Sequence, residues 1–216
     1  MDPHGDAVVT TRYGVFLVPD AATSAAVTAI TGFVRAQYGL VSAGAFPPHA
    51  TLVGSLPVAV GEPELLAVLD GALAGVRALP VQNLGVRRLG DVVVYDVSEL
   101  DGARHEGLRE LARTVDAAVA PLLAPSAGLP ADVFVPDRFH PHLSLASHDL
   151  FSRPDLRDEV ARFVAALPVT APAGFLGETV ALYRFGHPTW QDRWWEGLTW
   201  THVRSWHLTA PADELT

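Results

Sequence analysis

Two segments of this chain repeat the same residue types in the same order, and each contains a histidine followed two positions later by a hydroxyl residue. They read Phe46-Pro47-Pro48-His49-Ala50-Thr51-Leu52 and Phe139-His140-Pro141-His142-Leu143-Ser144-Leu145, so the two histidines are 93 positions apart. Histidine titrates near neutral pH, and two imidazoles that face one space can act as base and acid in one step. Hydroxyl groups beside them can donate hydrogen bonds to anionic oxygens.

This set of groups suits the cleavage of a phosphodiester. His49 and His142 would serve as general base and general acid, and the sequence leaves open which is which. Thr51 and Ser144 would hold the phosphoryl oxygens through neutral hydrogen bonds. Side chains alone then supply acid, base and phosphate binding, so we expect no metal and no other cofactor.

The residues around each motif predict a short buried strand. A proline before each histidine biases its own preceding residue toward extended geometry, and residues 51–54 and 144–146 suit a buried strand. Residues i and i+2 of a strand face the same way. His49 and Thr51 should therefore point into one space, and His142 and Ser144 into another or into the same one.

The paired motifs His49-Ala50-Thr51 and His142-Leu143-Ser144 resemble the signature of the 2H phosphoesterases. That superfamily includes 2′-5′ RNA ligase-like proteins and cyclic nucleotide phosphodiesterases. The opening segment Tyr13-Gly14-Val15-Phe16-Leu17-Val18-Pro19 also resembles the first strand of the family. The resemblance implies a bilobed α+β fold from a duplication, with both motifs in a central groove, and a 2′,3′-cyclic phosphate or a 2′-5′ linkage as substrate.

The order of the other elements favours an α+β fold with two antiparallel sheets and helices packed outside. Apolar residues at helical spacing predict helices around residues 27–38, from residue 63, over 103–123 and from residue 152. Strands are predicted over residues 12–18, twice within 81–97, and over 178–185 and 200–208. Residues 124–130 read as a loop. Because the strands come in adjacent pairs, antiparallel pairing is favoured over a doubly wound parallel sheet.

The composition excludes several kinds of chemistry. All fifteen basic residues are arginine, so a lysyl-adenylate ligase, a Schiff-base enzyme and a P-loop NTPase that uses its lysine are excluded. The absence of cysteine excludes disulfides and thiolate chemistry. A net charge of −9 disfavours an extended nucleic-acid footprint, though one nucleotide or a strand end could bind a local groove.

For several other residues the sequence allows both a functional and a purely structural interpretation. Arg184 and Tyr183 lie in an apolar run, where they either reach the groove and contact phosphate or face outward, and the same choice applies to Arg12. All five tryptophans fall in the last 27 residues, and Trp194 and Trp195 are the first candidates to stack on a base.

Two rival functions remain. His140 and His142 share one face of a strand, as a metallohydrolase with Asp137 as third ligand would need, although sequence does not place that ligand. A non-catalytic protein could instead use the groove to recognise a nucleotide or an RNA end.

The sequence also predicts the domain organisation, the location and the partners of the protein. We expect residues 1–216 to form one domain of two pseudo-symmetric lobes and to act as a monomer. The first six residues lack the basic and apolar segments of a signal peptide, and no apolar run approaches the roughly 18 residues of a membrane helix. We therefore expect a cytoplasmic protein that binds a small nucleotide or an RNA end and does not associate with a membrane.

Overall fold

The computed structural model describes residues 10–125 and 129–210, and in this part of the chain strands and helices form the α+β fold that the sequence predicts. The loop predicted over residues 124–130 lies partly outside the described residues. The strands are β1 (Thr10–Val18), β2 (Ala50–Leu56), β3 (Leu79–Gln82), β4 (Val86–Leu89), β5 (Val92–Asp96), β6 (Glu99–Leu100), β7 (Ala103–Arg104), β8 (His142–Ala146), β9 (Gly174–Gly177), β10 (Thr179–His187) and β11 (Thr199–His207).

Among the described residues, seven strands form the main sheet in the order β11-β10-β1-β2-β8-β5-β4, and every neighbouring pair is antiparallel. Eight or nine residue pairs join β1 to β10 and β10 to β11, whereas β2 and β8 meet at a single pair, Ala50 with Leu143. The predicted two antiparallel sheets are thus two half-sheets, one of four strands and one of three, that touch where the motif strands meet.

In the part of the chain that the structure describes, four α-helices cover the sheet: α1 (Ala21–Tyr38), α2 (Glu62–Leu73), α3 (Glu106–Val119) and α4 (Arg157–Ala166). The Asp20 carboxylate caps α1 by accepting a hydrogen bond from the Thr23 amide at 2.7 Å, and Gly39 ends the helix in the left-handed conformation that a C-cap favours. Val27, Ile30 and Val34 are buried on one face, as their spacing predicts. None of the helices in the described residues is long and apolar enough to cross a membrane.

The predicted boundaries differ from the structure in three places. Residues 81–97 lie in three strands rather than two, because β3 leaves the main sheet and pairs with the unpredicted β9. Helix α3 is shorter than predicted and continues as a 3₁₀ turn over Ala120–Leu122, where Pro121 cannot donate a helical hydrogen bond. The fourth helix begins later than predicted, after a 3₁₀ turn over Pro154–Leu156.

The helices close the joint between the half-sheets. Helix α1 follows β1 in the chain but packs on β8, and α3 packs on β2 and α2. Ala50 and Leu143, the pair that joins the half-sheets, are both fully buried beneath them. The core is therefore continuous across the joint, and apolar packing supplies the adhesion that a single pair of strand residues cannot.

Candidate active site

The register of the two motif strands brings all four motif side chains to one face of the sheet. Ala50 pairs with Leu143 and both point into the core, so the residues on either side of each point the other way. His49, Thr51, His142 and Ser144 accordingly line one cavity on the face opposite the core. The sequence left open whether the motifs share one space.

The cavity encloses about 480 Å³, a volume typical of small-molecule sites. It is mostly apolar, and its walls come from several separate segments of the described chain. Besides the four motif residues, its lining includes Arg12, Phe16, Phe46, Gly54, Ser55, Leu129, Asp132, Ser147, His148, Phe151, Phe185, Trp190 and Trp194.

Both motif imidazoles are oriented by the same backbone contact. His49 Nδ1 lies 2.8 Å from the Pro47 carbonyl oxygen, and His142 Nδ1 lies 2.7 Å from the His140 carbonyl oxygen. A carbonyl oxygen only accepts, so Nδ1 must carry the hydrogen in both rings. The neutral imidazoles therefore keep Nε2 as the atom that can accept a proton, and the protonated ones keep it as the atom that can donate.

The ring of His49 is enclosed by aromatic side chains. Phe46 stacks on it with ring centroids 4.2 Å apart, and Phe16 meets it edge-on at 4.5 Å. Burial lowers the pKa of His49 to about 4, helped by the charge on His142 and opposed by the Pro47 carbonyl. At neutral pH this histidine is unprotonated and able to accept a proton.

His142 has a more polar setting. Burial lowers its pKa most, and the charge on His140 acts in the same direction. The carbonyl of His140 and the carboxylates of Asp132 and Asp96 oppose that fall in pKa. The two motif histidines thus share an orientation but not an electrostatic environment.

His140 is not among the residues that line the cavity, and its side chain contacts a buried carboxylate. Its Nε2 lies 3.1 Å from Asp96 Oδ1, and Arg87 lies 3.3 Å from the other oxygen. Burial would raise the pKa of Asp96, but hydrogen bonds from Ser98 and the electrostatic effects of His140 and Arg87 outweigh it and lower the pKa. Within residues 10–125 and 129–210, no three histidine or carboxylate side chains are grouped so that they could hold a metal ion.

Arg12 is the arginine that the structure places in the groove wall. Its guanidinium donates to Ser55 Oγ at 2.8 Å, to the Ser55 carbonyl at 3.1 Å and to the Leu129 carbonyl, and it lies over Trp190. Ser55 has a positive φ of 51°, which is uncommon for a residue with a side chain. Arg12 therefore fixes a strained corner of β2 and ties it to the backbone at Leu129.

Arg184 and Tyr183 do not reach the cavity. Arg184 pairs across the sheet with Tyr13, and its guanidinium lies 3.1 Å from the Glu62 carboxylate at the start of α2. It therefore lies on the helix-covered face, and this geometry does not support the phosphate contact predicted for Arg184. Tyr183 faces the groove side but is buried in the aromatic layer beneath Phe16 and Phe46.

His148 is a groove residue that sequence reasoning missed. It stacks on Trp195 at 5.5 Å and meets Trp194 and Phe151 edge-on, while Trp195 donates to Asp149 at 3.0 Å. Trp194 lines the cavity, whereas Trp195 packs behind His148.

The offset of 93 positions relates Gly54 to Ser147 and Ser55 to His148, and all four line the cavity. Neither pair shares a residue type, so the residue letters alone do not point to His148.

The fold and groove define a class of α+β proteins in which two histidine motifs on adjoining strands face one cavity. The sequence profile of the 2′-5′ RNA ligase superfamily matches residues 18–188, a span that contains both motifs. The chain therefore belongs to this superfamily of 2H phosphoesterases, as the motif resemblance predicted.

Solved structures with this fold include two complexes of E. coli LigT and a protein of Thermus thermophilus. LigT complexed with NADP+ is 17% identical, with a TM-score of 0.51 and 93% of this chain and 98% of that chain covered. LigT complexed with ATP is also 17% identical, with a TM-score of 0.50 and 93% and 99% covered. The Thermus protein is 17% identical, with a TM-score of 0.51 and 92% and 98% covered. No curated protein sequence matches the chain.

Proposed function

We propose that this protein is a metal-independent phosphodiesterase that works by two-histidine acid–base catalysis. Its substrate would be a small nucleotide with a 2′,3′-cyclic phosphate, or an RNA end or 2′-5′ linkage. The observation that carries the proposal is that His49, His142, Thr51 and Ser144 line one cavity, with both imidazoles held through Nδ1. Nε2 of each ring is then available to the substrate.

In the proposed reaction, one neutral imidazole takes a proton from water as the water oxygen bonds to phosphorus. The other, protonated imidazole gives its proton to the ester oxygen as the phosphorus–oxygen bond breaks. Thr51 and Ser144 hydroxyls donate to the phosphoryl oxygens, whose charge grows in the transition state. The products are a phosphomonoester and an alcohol, and proton exchange with solvent restores both rings.

A nucleotide is favoured by the walls of the cavity. Aromatic rings suit a nucleobase, because base–aromatic stacking is worth about 1–3 kcal/mol per base. Phe151 and Trp194 supply such rings near His148. The nucleotide complexes of E. coli LigT, with ATP and NADP+, point the same way.

The proposal is tested by a panel of 2′,3′-cyclic nucleotides, 2′-5′ dinucleotides and 3′-5′ dinucleotides, each assayed with and without EDTA. We expect turnover of cyclic or 2′-5′ substrates at a rate that EDTA leaves unchanged, because side chains supply the acid, the base and the phosphate ligands. Loss of turnover on chelation, restored by zinc or manganese, would favour the metallohydrolase. Binding without turnover across the panel would identify a nucleotide or RNA-end binding protein.

The pH profile of kcat/KM should be a bell, and its centre should lie at a lower pH than that of a reaction catalysed by two histidines with ordinary pKa values. Burial lowers both pKa values, that of His49 to about 4. Activity is lost at low pH as the base becomes protonated, and at high pH as the acid loses its proton. Both limbs report the coupled pair. A profile flat from about pH 4 to 9 would contradict acid–base catalysis by these groups.

A monomeric state, a cytoplasmic location and one domain over residues 1–216 stay predictions. Light scattering of the purified protein would test the first of them directly.

A further inference from the structure

The loop between β10 and β11 contacts both half-sheets on the groove side. This tryptophan loop, residues 188–198, contains Trp190, Trp194 and Trp195, and the first two of these rings line the cavity. On the four-stranded side, the Trp190 indole nitrogen donates to a backbone carbonyl oxygen of β1 at 3.2 Å. On the three-stranded side, Trp194 and Trp195 pack on His148 in the turn after β8. The loop therefore forms a wall of the groove and depends on contacts with both half-sheets.

The Asp149 carboxylate binds the tryptophan loop to the turn after β8. Its Oδ1 accepts a hydrogen bond from the Trp195 indole nitrogen at 3.0 Å. Its Oδ2 accepts from the backbone amides of Val41 and Ser42, at 2.9 and 2.6 Å. Asp149 is only 8% exposed, so these three neutral N–H donors replace the water that a buried carboxylate would otherwise need. Among the residues that the structure describes, no other hydrogen bond joins the tryptophan loop to this turn or to the three-stranded half-sheet.

The position of Asp149 is fixed independently of the tryptophan loop. Its backbone amide donates to Ser42 Oγ at 3.2 Å, and Ser42 Oγ lies 3.1 Å from Ser147 Oγ. Both serines are buried, so their hydroxyl groups hold the segment after α1 against the turn after β8. Asp149 would keep these contacts without Trp195, and the indole bond is therefore a contact between the loop and a fixed carboxylate.

His148 connects this carboxylate to the cavity. Its ring stacks on Trp195 with centroids 5.5 Å apart, and it meets Trp194 edge-on at 4.9 Å. His148 and Trp194 line the cavity, whereas Trp195 and Asp149 are not among the lining residues. The hydrogen-bonded pair can therefore affect the groove through the two rings that line it.

We propose that Trp195 and Asp149 are positioning residues for substrate binding, and that the hydrogen bond between them, the latch, holds the tryptophan loop against His148. The inference rests on the proposed function, because the cavity that the latch shapes is the one proposed to take the nucleotide. With the latch formed, the rings of His148 and Trp194 are already in place when the substrate arrives, which lowers the cost of ordering them. Neither latch residue lies among the groups that move protons or hold phosphate. Loss of the latch should therefore weaken substrate binding more than it slows the chemical step.

Two variants remove the latch from opposite sides. Asp149→Asn keeps one side-chain oxygen, which can still accept from the two backbone amides, but its NH2 group would face the indole N–H donor to donor. Trp195→Phe removes the indole donor and keeps an aromatic ring beside His148. Each variant therefore loses the same hydrogen bond and keeps most of the surrounding contacts.

The first test follows the tryptophan indole N–H groups and the His148 ring by NMR. In Asp149→Asn the hydrogen exchange of the Trp195 indole should become about 10-fold faster or more, since a hydrogen bond to a charged group contributes at least that factor. The resonances of Trp194 and His148 should shift with it. Unchanged resonances of Trp194 and His148 overturn the latch. This measurement needs no turnover, so it stands apart from the proposed function.

The second test separates KM from kcat on the best cyclic substrate. In Asp149→Asn and in Trp195→Phe, KM should rise about 10-fold while kcat stays within about 3-fold of the wild-type value. The double variant should be no worse than either single variant, because both changes remove one bond. A fall in kcat at unchanged KM, or losses that multiply in the double variant, overturns the positioning role. Absence of turnover in the wild-type protein would instead count against the proposed function, and the NMR test would still decide whether the latch exists.

A second indole–carboxylate pair in the same chain provides the matched control. Trp206 on β11 donates through its indole nitrogen to Asp70 Oδ1 on α2 at 2.7 Å, and neither residue lines the cavity. Trp206→Phe should therefore leave KM, kcat and the resonances of Trp194 and His148 unchanged. An equal rise of KM in Trp206→Phe would show a general effect of losing such a bond, and it would overturn the latch as a determinant of substrate binding.

Discussion

The variants His49→Ala and His142→Ala should each have a kcat/KM about 10²- to 10⁴-fold lower than the wild-type protein. This corresponds to a loss of roughly 3–5 kcal/mol of transition-state stabilisation. In the proposed reaction, each variant lacks the group that moves one of the two protons. Both side chains are half-buried in the groove rather than part of the core, so the thermal unfolding midpoint should change little. Steady-state kinetics on the best cyclic substrate, with thermal unfolding alongside, measure the two effects.

The double variant separates a cooperating pair from two independent contributions. When two groups act as a unit, removing the second costs little once the first is gone. The loss in His49→Ala/His142→Ala should therefore be far smaller than the product of the single losses. Arg184→Ala is the control on the opposite face and should keep nearly full activity. If His140→Ala proves as damaging as His142→Ala while His49→Ala is silent, the paired mechanism is wrong.

Thr51→Ala and Ser144→Ala should each lower kcat/KM by about 10- to 100-fold, since each removes a hydrogen bond from a neutral donor to a charged oxygen. The exchanges Thr51→Ser and Ser144→Thr keep the hydroxyl groups and should retain most of the activity. The threonine methyl group lies beside Gly54, so it has a packing role of its own. If Thr51→Ser costs as much as Thr51→Ala, that packing, and not phosphate binding, is the contribution of Thr51.

Much of the fold could be predicted from the sequence because its local signals agree with one another. The stripe of Val27, Ile30 and Val34 predicted α1, and the apolar runs near residues 178–185 and 200–208 predicted β10 and β11. The strands β3 and β9 were missed as a pair because their partners are more than 90 positions apart in the chain. Pairing at such distance depends on tertiary packing, which local periodicity does not report.

Only part of the site could be predicted, because the alternation of side chains between the two faces of a strand relates residues of the same strand only. Alternation puts His49 with Thr51 and His142 with Ser144, but the register between β2 and β8 decides that the two pairs meet. Alternation also says that Arg184 faces away from Tyr183, and it does not say which face carries the groove. The environment of His142 depends on Asp132, which arrives from a loop and has no periodic signal at all.

The meeting of the half-sheets at Ala50 and Leu143 has a mechanical consequence. A seam with one residue pair resists shear weakly, so the separation of His49 and His142 is governed by how firmly α1 and α3 clamp the far side of the sheet. On the groove side, Asp149 accepts from the Val41 and Ser42 amides and acts as a brace across the same seam. The spacing of the two motif histidines is therefore set by contacts on both faces of the sheet.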